Sequence, residues 1–260
     1  MIPKVIHYCW FGGNPKPLIA ERCIKSWKKQ CPDYKIIEWN ELNYNIDSAP
    51  LYVRQAYDKK KWAFVADFVR LQIIYEYGGI YLDTDVELVN NLDELLRYHA
   101  YFGFEEDDYI NTGLGFGAEQ GNHILFELMK DYEEIPFVLE DGNYDSTPCP
   151  QRNTKIFLRF GLICNGMLQQ LDDGTMILPA EYLCPLDNAT RILHKTSNTI
   201  SIHHFDASWQ SKDQRKEHDK IVRKRRLRMR FESICYFPRW LMRKIIGDER
   251  YENIKRTLKK

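Results

Sequence analysis

The run of residues 62–77 constrains the fold of this chain more than any other stretch of its sequence. The run consists of good helix formers and contains no Gly or Pro, so it predicts one uninterrupted helix. Gly78 and Gly79 follow it, and glycine is the residue that most readily adopts the left-handed conformation that ends a helix. Residues 80–82 are aliphatic and aromatic and predict a short strand. A helix that leads directly into a strand indicates an α/β protein.

Two carboxylates one residue apart, Asp83 and Asp85, follow this strand. Side chains at positions i and i+2 of an extended segment point the same way, so we expect them to converge. Carboxylate oxygens are the ligands that Mg²⁺ and Mn²⁺ prefer, with phosphate oxygens in the remaining positions. Asp67 and Arg70 are three residues apart and therefore share one face of the preceding helix. The sequence thus predicts a site with a metal-binding acid pair, a further acid and a guanidinium.

Other segments predict the rest of an α/β sheet. The first three, a strand at 4–10, a helix at 17–30 and a strand at 34–39, predict a parallel pair joined by a crossover helix. Later strands are expected at 80–82, 101–104, 175–178 and 199–204, and helices at 92–97, 123–132 and, with a break between 161 and 166, at 154–170. Nucleotides bind at the carboxyl ends of strands in such sheets, where both Trp10 and Asp83 fall.

The residues from Ala66 to Asp85 read A-D-x-x-R and then G-G-x-Y-x-D-x-D, and this arrangement resembles the D-x-D region of glycosyltransferase family 32. That family includes bacterial capsule and lipopolysaccharide sugar transferases and fungal initiating mannosyltransferases, and glucosylating clostridial toxins share the arrangement. The resemblance covers about the first ninety residues and returns near the end of the core. It implies a GT-A-type nucleotide-diphospho-sugar transferase fold for residues 1–211, and metal-dependent, retaining transfer of a sugar from a nucleotide-sugar donor.

The resemblance also implies roles for the four residues of the central motif. It assigns Asp85 to direct metal ligation, and Asp83 to the donor ribose or to the metal. It gives Asp67 and Arg70 to the donor sugar and its phosphate, which suits the fork-shaped guanidinium of arginine. The alternative for Asp67 and Arg70 is a surface ion pair with no contact to a ligand.

The resemblance implies further site residues in the first predicted strand and in residues 203–209. Trp10 is expected to stack on the nucleobase, with His7 at the same donor site, although a core tryptophan is an equal alternative. Residues 203–209 resemble the family's H-H-x-x-x-S-W ending. There His204 is the expected metal ligand and His203 the second choice, because successive strand residues face opposite sides. The remaining donor contacts are assigned to Ser208 and Trp209, and Asn111 to the donor sugar or the acceptor.

The expected cofactor is Mn²⁺ or Mg²⁺, which would neutralise the charge that develops on the departing diphosphate. A UDP-hexose is the favoured donor and GDP-mannose the alternative. The acceptor is expected to be a saccharide or lipid-linked saccharide of capsule, lipopolysaccharide or exopolysaccharide synthesis. Since the sequence offers no convincing carboxylate nucleophile, a front-face mechanism is favoured over a covalent intermediate.

The neutral net charge hides a division between the two ends of the chain. Residues 212–260 contain 18 Lys and Arg against 7 Asp and Glu, whereas residues 1–211 contain 19 basic and 30 acidic residues. Basic residues interleaved with apolar ones predict an amphipathic helical tail that binds an anionic membrane. The alternative is a solvated helix packed on the core. No recognition motif for nucleic acid accompanies the charge, so we expect no such partner.

The sequence begins with no signal peptide, and no apolar run approaches the ~18 residues of a membrane-spanning helix. Its seven cysteines are scattered without zinc-site spacing, which is typical of reduced cytosolic thiols. We therefore expect a bacterial cytoplasmic protein, peripheral on the inner face of the cell membrane.

Two other readings remain open at this stage. Asp83 and Asp85 also resemble the nucleophile motif of haloacid-dehalogenase-type phosphatases, with Asp172 and Asp173 as a late metal pair. That family places the nucleophile on the first strand, whereas two predicted strands precede it here. The other reading is a non-catalytic sugar-nucleotide or membrane binding module, which a turnover assay would distinguish.

Overall fold

The computed structural model describes residues 1–106, 108–206, 216, 220–225, 227 and 239–257. The chain divides into two compact units, the first made of residues 1–187 and 192–209 and the second of residues 188–191 and 210–260. The boundary predicted after residue 211 falls between 207 and 215, outside the described residues, and stays a prediction.

The first unit contains ten described strands and six α-helices. The strands are β1 (Val5–Cys9), β2 (Lys35–Trp39), β3 (Gly79–Tyr81), β4 (Val86–Leu88), β5 (Ala100–Glu106), β6 (Tyr109–Ile110), β7 (Phe116–Ala118), β8 (Gln169–Gln170), β9 (Met176–Leu178) and β10 (Ser201–His203). The helices are α1 (Leu18–Gln30), α2 (Leu51–Asp58), α3 (Trp62–Tyr77), α4 (His123–Glu133), α5 (Cys149–Leu158) and α6 (Ala180–Leu183). Three short 3₁₀ turns span Ile46–Ser48, Asp93–Arg97 and Thr112–Leu114.

One mixed sheet organises this unit, with the strand order β2-β1-β3-β7-β5-β9-β8 and β6 paired to β5. Strand β1 runs parallel to both β2 and β3, as predicted for the strand–helix–strand start of the chain. Strand β7 is antiparallel to its neighbours β3 and β5. A separate antiparallel pair joins β10 to β4. The predicted α/β class is confirmed by this sheet and its flanking helices.

Helix α3 has the bounds that the sequence predicts, and seven of its 16 residues are buried. Gly78 ends it at φ 64°, with its N–H donated to the Ile74 carbonyl. Gly79 has φ 110°, and a Cβ there would lie 2.8 Å from the Val5 carbonyl oxygen. Both glycines are therefore required, one by the backbone turn and the other by the close approach of β3 to β1.

Two parts of the sequence reading are wrong in the segment between β7 and β9. The glycine and proline residues between 140 and 152 predict a loop there, and a helix is predicted at 154–170, but α5 spans Cys149–Leu158 and β8 follows at Gln169–Gln170. Pro150 lies in the first turn of α5, where proline suits a helix start. Gly161 and Gly166 have φ values of 85° and 66°, which a continuing helix does not allow. The sequence pattern does not predict helix α2.

The core consists of two apolar clusters, and most of the 16 Tyr, 13 Phe and 6 Trp residues of the chain belong to these clusters or pack against them. Tyr52, Tyr81, Tyr101 and Tyr132 are all at most 1% exposed. Trp27 of α1 is fully buried and donates its indole N–H to the Val86 carbonyl over 2.7 Å, which fixes α1 against β4. The aromatic content is therefore explained mainly by packing.

His7 of β1 is a buried structural residue. Its side chain is 1% exposed, Nδ1 accepts the Trp39 indole N–H over 3.0 Å, and Nε2 lies 3.1 Å from the Gly78 carbonyl oxygen. Because an indole can only donate, the proton is on Nε2, which donates to that carbonyl. Burial lowers the pKa of His7 from 6.5 to about 4. His7 thus links β1 to β2 and to the α3–β3 junction as a neutral ring.

His7 predicts a loss of stability in mild acid. Because its pKa is lowered on folding, the unfolded chain binds the extra proton first, so its contribution is complete above pH 6.5 and falls as the pH approaches 4. The shift corresponds to about 3 kcal/mol between pH 7 and pH 4. Urea unfolding of His7→Gln should show a flatter pH dependence over this range than the unsubstituted protein. The exposed His123→Gln is the control, and an unchanged slope in His7→Gln would contradict the assignment.

Candidate functional site

The Asp83 and Asp85 carboxylates lie at the carboxyl end of β3, in a turn rather than in the extended segment that the sequence predicted. The Leu82 N–H still pairs with the His7 carbonyl, and the Val86 N–H then donates to the Asp83 carbonyl over 3.0 Å, which closes the turn. The turn nevertheless brings the two carboxylates together. The expected convergence therefore occurs, but by a different backbone geometry.

His203 joins this pair from a distant part of the sequence. One ligand atom from each of Asp83, Asp85 and His203 lies within 4.8 Å of the other two. Strand β10 pairs with β4 so that His203 is opposite Val86, directly after the turn. The His203 Nε2 is 3.3 Å from the Asp85 Oδ1. The pairing of β10 with β4 is thus what delivers the imidazole to the two carboxylates.

The structure places His203, and not the expected His204, beside the carboxylates. The Nε2 of His204 lies 2.8 Å from the Glu87 Oε2, away from Asp85. The alternation of side chains along a strand correctly implied that only one histidine faces the site. Which one does so depends on the register of β10 against β4, and the sequence does not show this register.

Asp85 is held on both carboxylate oxygens, because Oδ1 faces His203 and Oδ2 accepts the Asp206 backbone N–H over 2.8 Å. Burial raises the pKa of Asp85, but the charge and hydrogen bond of His203 outweigh it and bring this pKa down to about 2. Burial likewise lowers the pKa of His203, and Asp85 reverses this so that the imidazole pKa is raised well above 6.5. In the protein alone the two therefore form a carboxylate–imidazolium pair.

Arg70 lies beneath the turn and connects it to helix α3. Its side chain is 3% exposed, and it forms ion pairs with Asp67 and with Asp83, the latter with both carboxylate oxygens at 3.3 Å. Burial raises the pKa of Asp83, and Arg70 counteracts this by favouring the ionised carboxylate. The surface ion pair considered for Asp67 and Arg70 is excluded by this burial. Arg70 is placed to position Asp83, and direct contact with a donor phosphate remains a prediction.

Asn111 and Gly113 form the layer behind Asp83. The Asn111 Oδ1 accepts the Gly113 N–H over 2.6 Å, and its Nδ2 donates to the Glu105 Oε2 over 2.8 Å. A Cβ at Gly113 would lie 2.7 Å from the Asp83 Oδ2. Asn111 is 7% exposed, so it shapes the turn that contacts Asp83, and its predicted contact with a sugar remains a prediction. The signal for this layer is the glycine-rich run 113–117, in which Gly113 approaches Asp83 whereas Gly115 approaches Leu82 and Gly117 approaches Tyr101.

Trp10 and His7, both expected at the donor site, differ in their exposure to solvent. Trp10 follows β1, is partly exposed, and donates its indole N–H to the Asn14 carbonyl over 2.7 Å. His7 is buried, with both ring nitrogens engaged by Trp39 and Gly78, and its contact with a donor stays a prediction. Ser208 and Trp209 lie outside the described residues.

A cleft of about 440 Å³ opens beside the loop that carries Trp10. It is lined by Gly12, Gly13, Asn14, Glu41, Tyr57, Lys60 and Trp62. The Gly12 N–H donates to the Glu41 Oε1 over 2.6 Å, and a Cβ at Gly12 would collide with the Trp62 ring. The cleft therefore lies at the carboxyl end of β1, and the neighbouring parallel strand β3 ends at the Asp83–Asp85 turn.

The donor set fits a divalent cation. Two carboxylates and an imidazole are suitable ligands for Mn²⁺, and the imidazole makes Mn²⁺ a better match than Mg²⁺, which prefers oxygen alone. The Asp83 side chain is 28% exposed, so the group is accessible from solvent. Of the late acid pair considered for a phosphatase, Asp173 accepts both the N–H and the hydroxyl of Thr175 and so holds a turn.

Residues 19–102 match the family model described as the glycosyltransferase sugar-binding region containing a DXD motif. This region contains Asp67, Arg70, Asp83 and Asp85, and the predicted resemblance is confirmed there. The match defines the class of sequence to which this part of the chain is similar, namely the DXD sugar transferases.

Proteins with similar sequences include fungal and viral ones. The chain is 31% identical to inositol phosphoceramide mannosyltransferase 3 of Schizosaccharomyces pombe over 144 residues, which cover 52% of this chain and 38% of that protein. It is 33% identical to the uncharacterized glycosyltransferase L373 of Acanthamoeba polyphaga mimivirus, over 50% of this chain and 54% of that protein. The chain thus spans about half or less of the length of these relatives.

The chain also has a distant similarity to several solved structures. They include the PaToxG glycosyltransferase, with 16% identity and a TM-score of 0.47 over 61% of this chain and 69% of that one. The galactosyltransferase LgtC, solved with donor and acceptor sugar analogs, has 14% identity and a TM-score of 0.42 over 82% of this chain and 94% of that one.

In the part of the chain that the structure describes, helices are too short or too polar to cross a bilayer.

Proposed function

We propose that this chain is a metal-dependent glycosyltransferase of the GT-A type, which moves a hexosyl group from a nucleotide-diphosphate donor to a saccharide or lipid-linked saccharide. The observation that carries the proposal is the convergence of Asp83, Asp85 and His203 at the carboxyl end of β3. Asp83 and Asp85 form the D-x-D of the sugar-binding region that the family model matches. Strand ends of such sheets are where nucleotides bind.

Asp83, Asp85 and His203 would hold the cation, and Mn²⁺ is favoured by the imidazole. Its positive charge supplies stabilisation of the diphosphate that departs from the sugar. The surrounding residues prepare the site before the donor arrives. Arg70 favours the ionised form of Asp83 against the burial that raises its pKa, and the Asp206 N–H fixes the orientation of Asp85. Such fixed charges and dipoles are the main source of transition-state stabilisation in enzymes.

We propose that the reaction retains the anomeric configuration by a front-face route. The carboxylates around the turn would each be engaged by a positive charge, Asp67 and Asp83 by Arg70 and Asp85 by the metal ion that it would hold together with His203. A carboxylate held in this way is a poor nucleophile, because attack on the sugar would cost it that partner. The leaving diphosphate is then the group best placed to take the acceptor's proton.

The donor and the acceptor are proposed by class. The names of the fungal relatives describe mannosyl transfer to a phosphoinositol-containing lipid, which supports a GDP-mannose donor and a lipid acceptor here. A UDP-hexose and a precursor of capsule or lipopolysaccharide are the other candidates. The cleft beside Trp10 is proposed to receive the nucleoside of either donor.

A donor screen tests this function. Incubation with Mn²⁺ and a panel of UDP-hexoses and GDP-mannose should release nucleoside diphosphate from one donor, measured by chromatography. Asp85→Asn keeps the size of the side chain but removes its charge, so release should fall by roughly 100-fold or more, as expected when a charged group that stabilises the transition state is lost.

Glu87→Gln is the matched control, because Glu87 lies two residues further on and faces His204 instead of the site. It should retain release within a few-fold of the unsubstituted protein. Equal activity in Asp85→Asn, or no release from any donor by the unsubstituted protein, would contradict the proposal. The second result would favour the non-catalytic binding module.

We also propose that the second unit binds the protein to an anionic membrane on the cytoplasmic side of a bacterial cell. Its helix Arg239–Ile246 carries exposed Arg243, Lys244 and Ile245, and the last 49 residues hold 18 Lys and Arg against 7 Asp and Glu. Basic residues near an anionic surface each contribute roughly 1 kcal/mol, and salt screens the effect. The charge and the apolar side chain on one helix support surface binding.

Three exposed cations test the membrane role of the second unit. Replacing Arg223, Lys224 and Arg225 by Gln should weaken sedimentation of the full chain with anionic vesicles by roughly 100-fold at low salt. The matched control replaces the three exposed lysines of α1, Lys25, Lys28 and Lys29, by Gln. Equal losses in the two triple variants, or sedimentation that salt does not reduce, would show that this unit is not a specific membrane contact.

A further inference from the structure

Residues 203–206 wrap around Asp85 where strand β10 ends. The Nε2 of His203 lies 3.3 Å from the Asp85 Oδ1. The His204 N–H donates to the Asp85 carbonyl over 3.0 Å. The Asp206 N–H donates to the Asp85 Oδ2 over 2.8 Å. Three of four consecutive residues therefore contact one acid of the proposed metal site, and Phe205 is the residue that connects them.

The backbone of Phe205 is in the left-handed region, with φ at 50°. This region brings the Cβ of an L-residue close to a backbone carbonyl, so it is uncommon outside glycine and an outlier for a bulky side chain. In the part of the chain that the structure describes, the other non-glycine residues with positive φ are Lys60 and Arg191, and neither is aromatic. A strained residue of this kind persists only where its surroundings hold it in place.

The left-handed turn at Phe205 accounts for the bond between the Asp206 N–H and Asp85. Strand β10 runs antiparallel to β4 with His203 opposite Val86, so the chain moves along Asp85 as it leaves the strand. An extended residue at 205 would continue this path at roughly 3.3 Å per residue and carry residue 206 past Asp85. The left-handed residue turns the chain instead, and the next N–H meets the Asp85 carboxylate.

The ring of Phe205 contacts the other end of the same arrangement. Its centroid lies 4.2 Å from that of the His203 imidazole, with the two planes tilted by 55°. The ring also packs against the apolar cluster that contains Leu82 and Val86, the residues on either side of the Asp83–Asp85 turn. His203 is 8% exposed, so its imidazole has little room to turn. The packing of the ring therefore offsets the backbone strain and confines the imidazole at once.

We propose that Phe205 is a positioning residue for the metal site. Its left-handed backbone directs the Asp206 N–H to Asp85, and its ring holds the His203 imidazole toward the same carboxylate. The inference rests on the proposed function, because Asp85 and His203 are two of the proposed metal ligands. Phe205 itself contacts neither metal nor donor in this account. It acts by ordering the two ligands in advance, and a site ordered in advance binds more tightly because less ordering accompanies binding.

Two variants of the full chain separate the backbone of Phe205 from its ring. Phe205→Gly removes the ring but adopts positive φ freely, whereas Phe205→Ala removes the ring and keeps the strain. Titration with Mn²⁺ alone, followed by the electron paramagnetic resonance signal of the free ion, should show weaker binding in both. The alanine variant should bind roughly tenfold more weakly than the glycine variant, because only alanine has a penalty in the left-handed region. Phe205→Tyr retains the ring and should bind like the unsubstituted protein.

Hydrogen exchange of the Asp206 amide gives a second readout that needs neither metal nor donor. Measured by nuclear magnetic resonance on the metal-free protein, this exchange should be faster in Phe205→Ala than in Phe205→Gly, because the strained turn opens once the ring no longer holds it. Tyr98→Ala is the matched control. Tyr98 is a partly buried aromatic residue that packs against the same apolar cluster, and its hydroxyl accepts a hydrogen bond from Arg97 over 3.0 Å. This variant should leave both readouts unchanged, even if its unfolding temperature falls.

The stated order of Mn²⁺ affinities, with faster Asp206 exchange in Phe205→Ala, supports the positioning role. Equal affinities in the glycine and alanine variants overturn it, and an equal loss in Tyr98→Ala overturns it in favour of general packing. If the unsubstituted protein binds no Mn²⁺, the role is overturned together with the proposed metal site. Donor release is measured in parallel, so Mn²⁺ affinities in the stated order without any release would support the role of Phe205 and contradict the enzymatic proposal alone.

Discussion

The ion pairs of the buried Arg70 guanidinium are the interaction on which the rest of the site depends. Placing two carboxylates close together costs free energy, because each raises the pKa of the other. Burial adds to this cost at Asp83, and Arg70 opposes it from below the turn. Asp67 in turn balances the charge of Arg70 within helix α3. A buried charge needs such partners on every side, and removal of one partner typically costs ~3–5 kcal/mol.

The long-range contacts of the chain supply what the central motif lacks. The α3–Gly78–Gly79–β3 segment delivers Arg70 and the D-x-D turn as one local piece. His203 arrives more than a hundred residues later, and only the pairing of β10 with β4 brings it to Asp85. His7 shows the opposite case, since a polar residue near the site is committed to the core by Trp39 and Gly78. The site therefore combines a local motif with one distant strand.

The division between local and distant information explains what the sequence could predict. The helix at 62–77, its glycine end and the carboxylate pair depend on neighbouring residues, and the structure has all three. The choice between His203 and His204 depends on strand register, and the burial of His7 depends on packing from β2. Neither is encoded within a short window. The start of α5 is hard to predict because the prolines and glycines before it are typical of a loop, whereas Pro150 in fact lies in the first turn of the helix, which suits proline.

The central claim is that His203, brought in by β10, completes a metal site with Asp83 and Asp85. Pulsed electron paramagnetic resonance of Mn²⁺ added to the protein tests it directly, because a coordinated imidazole nitrogen gives a resolved ¹⁴N coupling. The account predicts this coupling in the unsubstituted protein and in His204→Asn, and its loss in His203→Asn. A coupling that survives in His203→Asn and disappears in His204→Asn would contradict the account, as would Mn²⁺ bound without any nitrogen coupling.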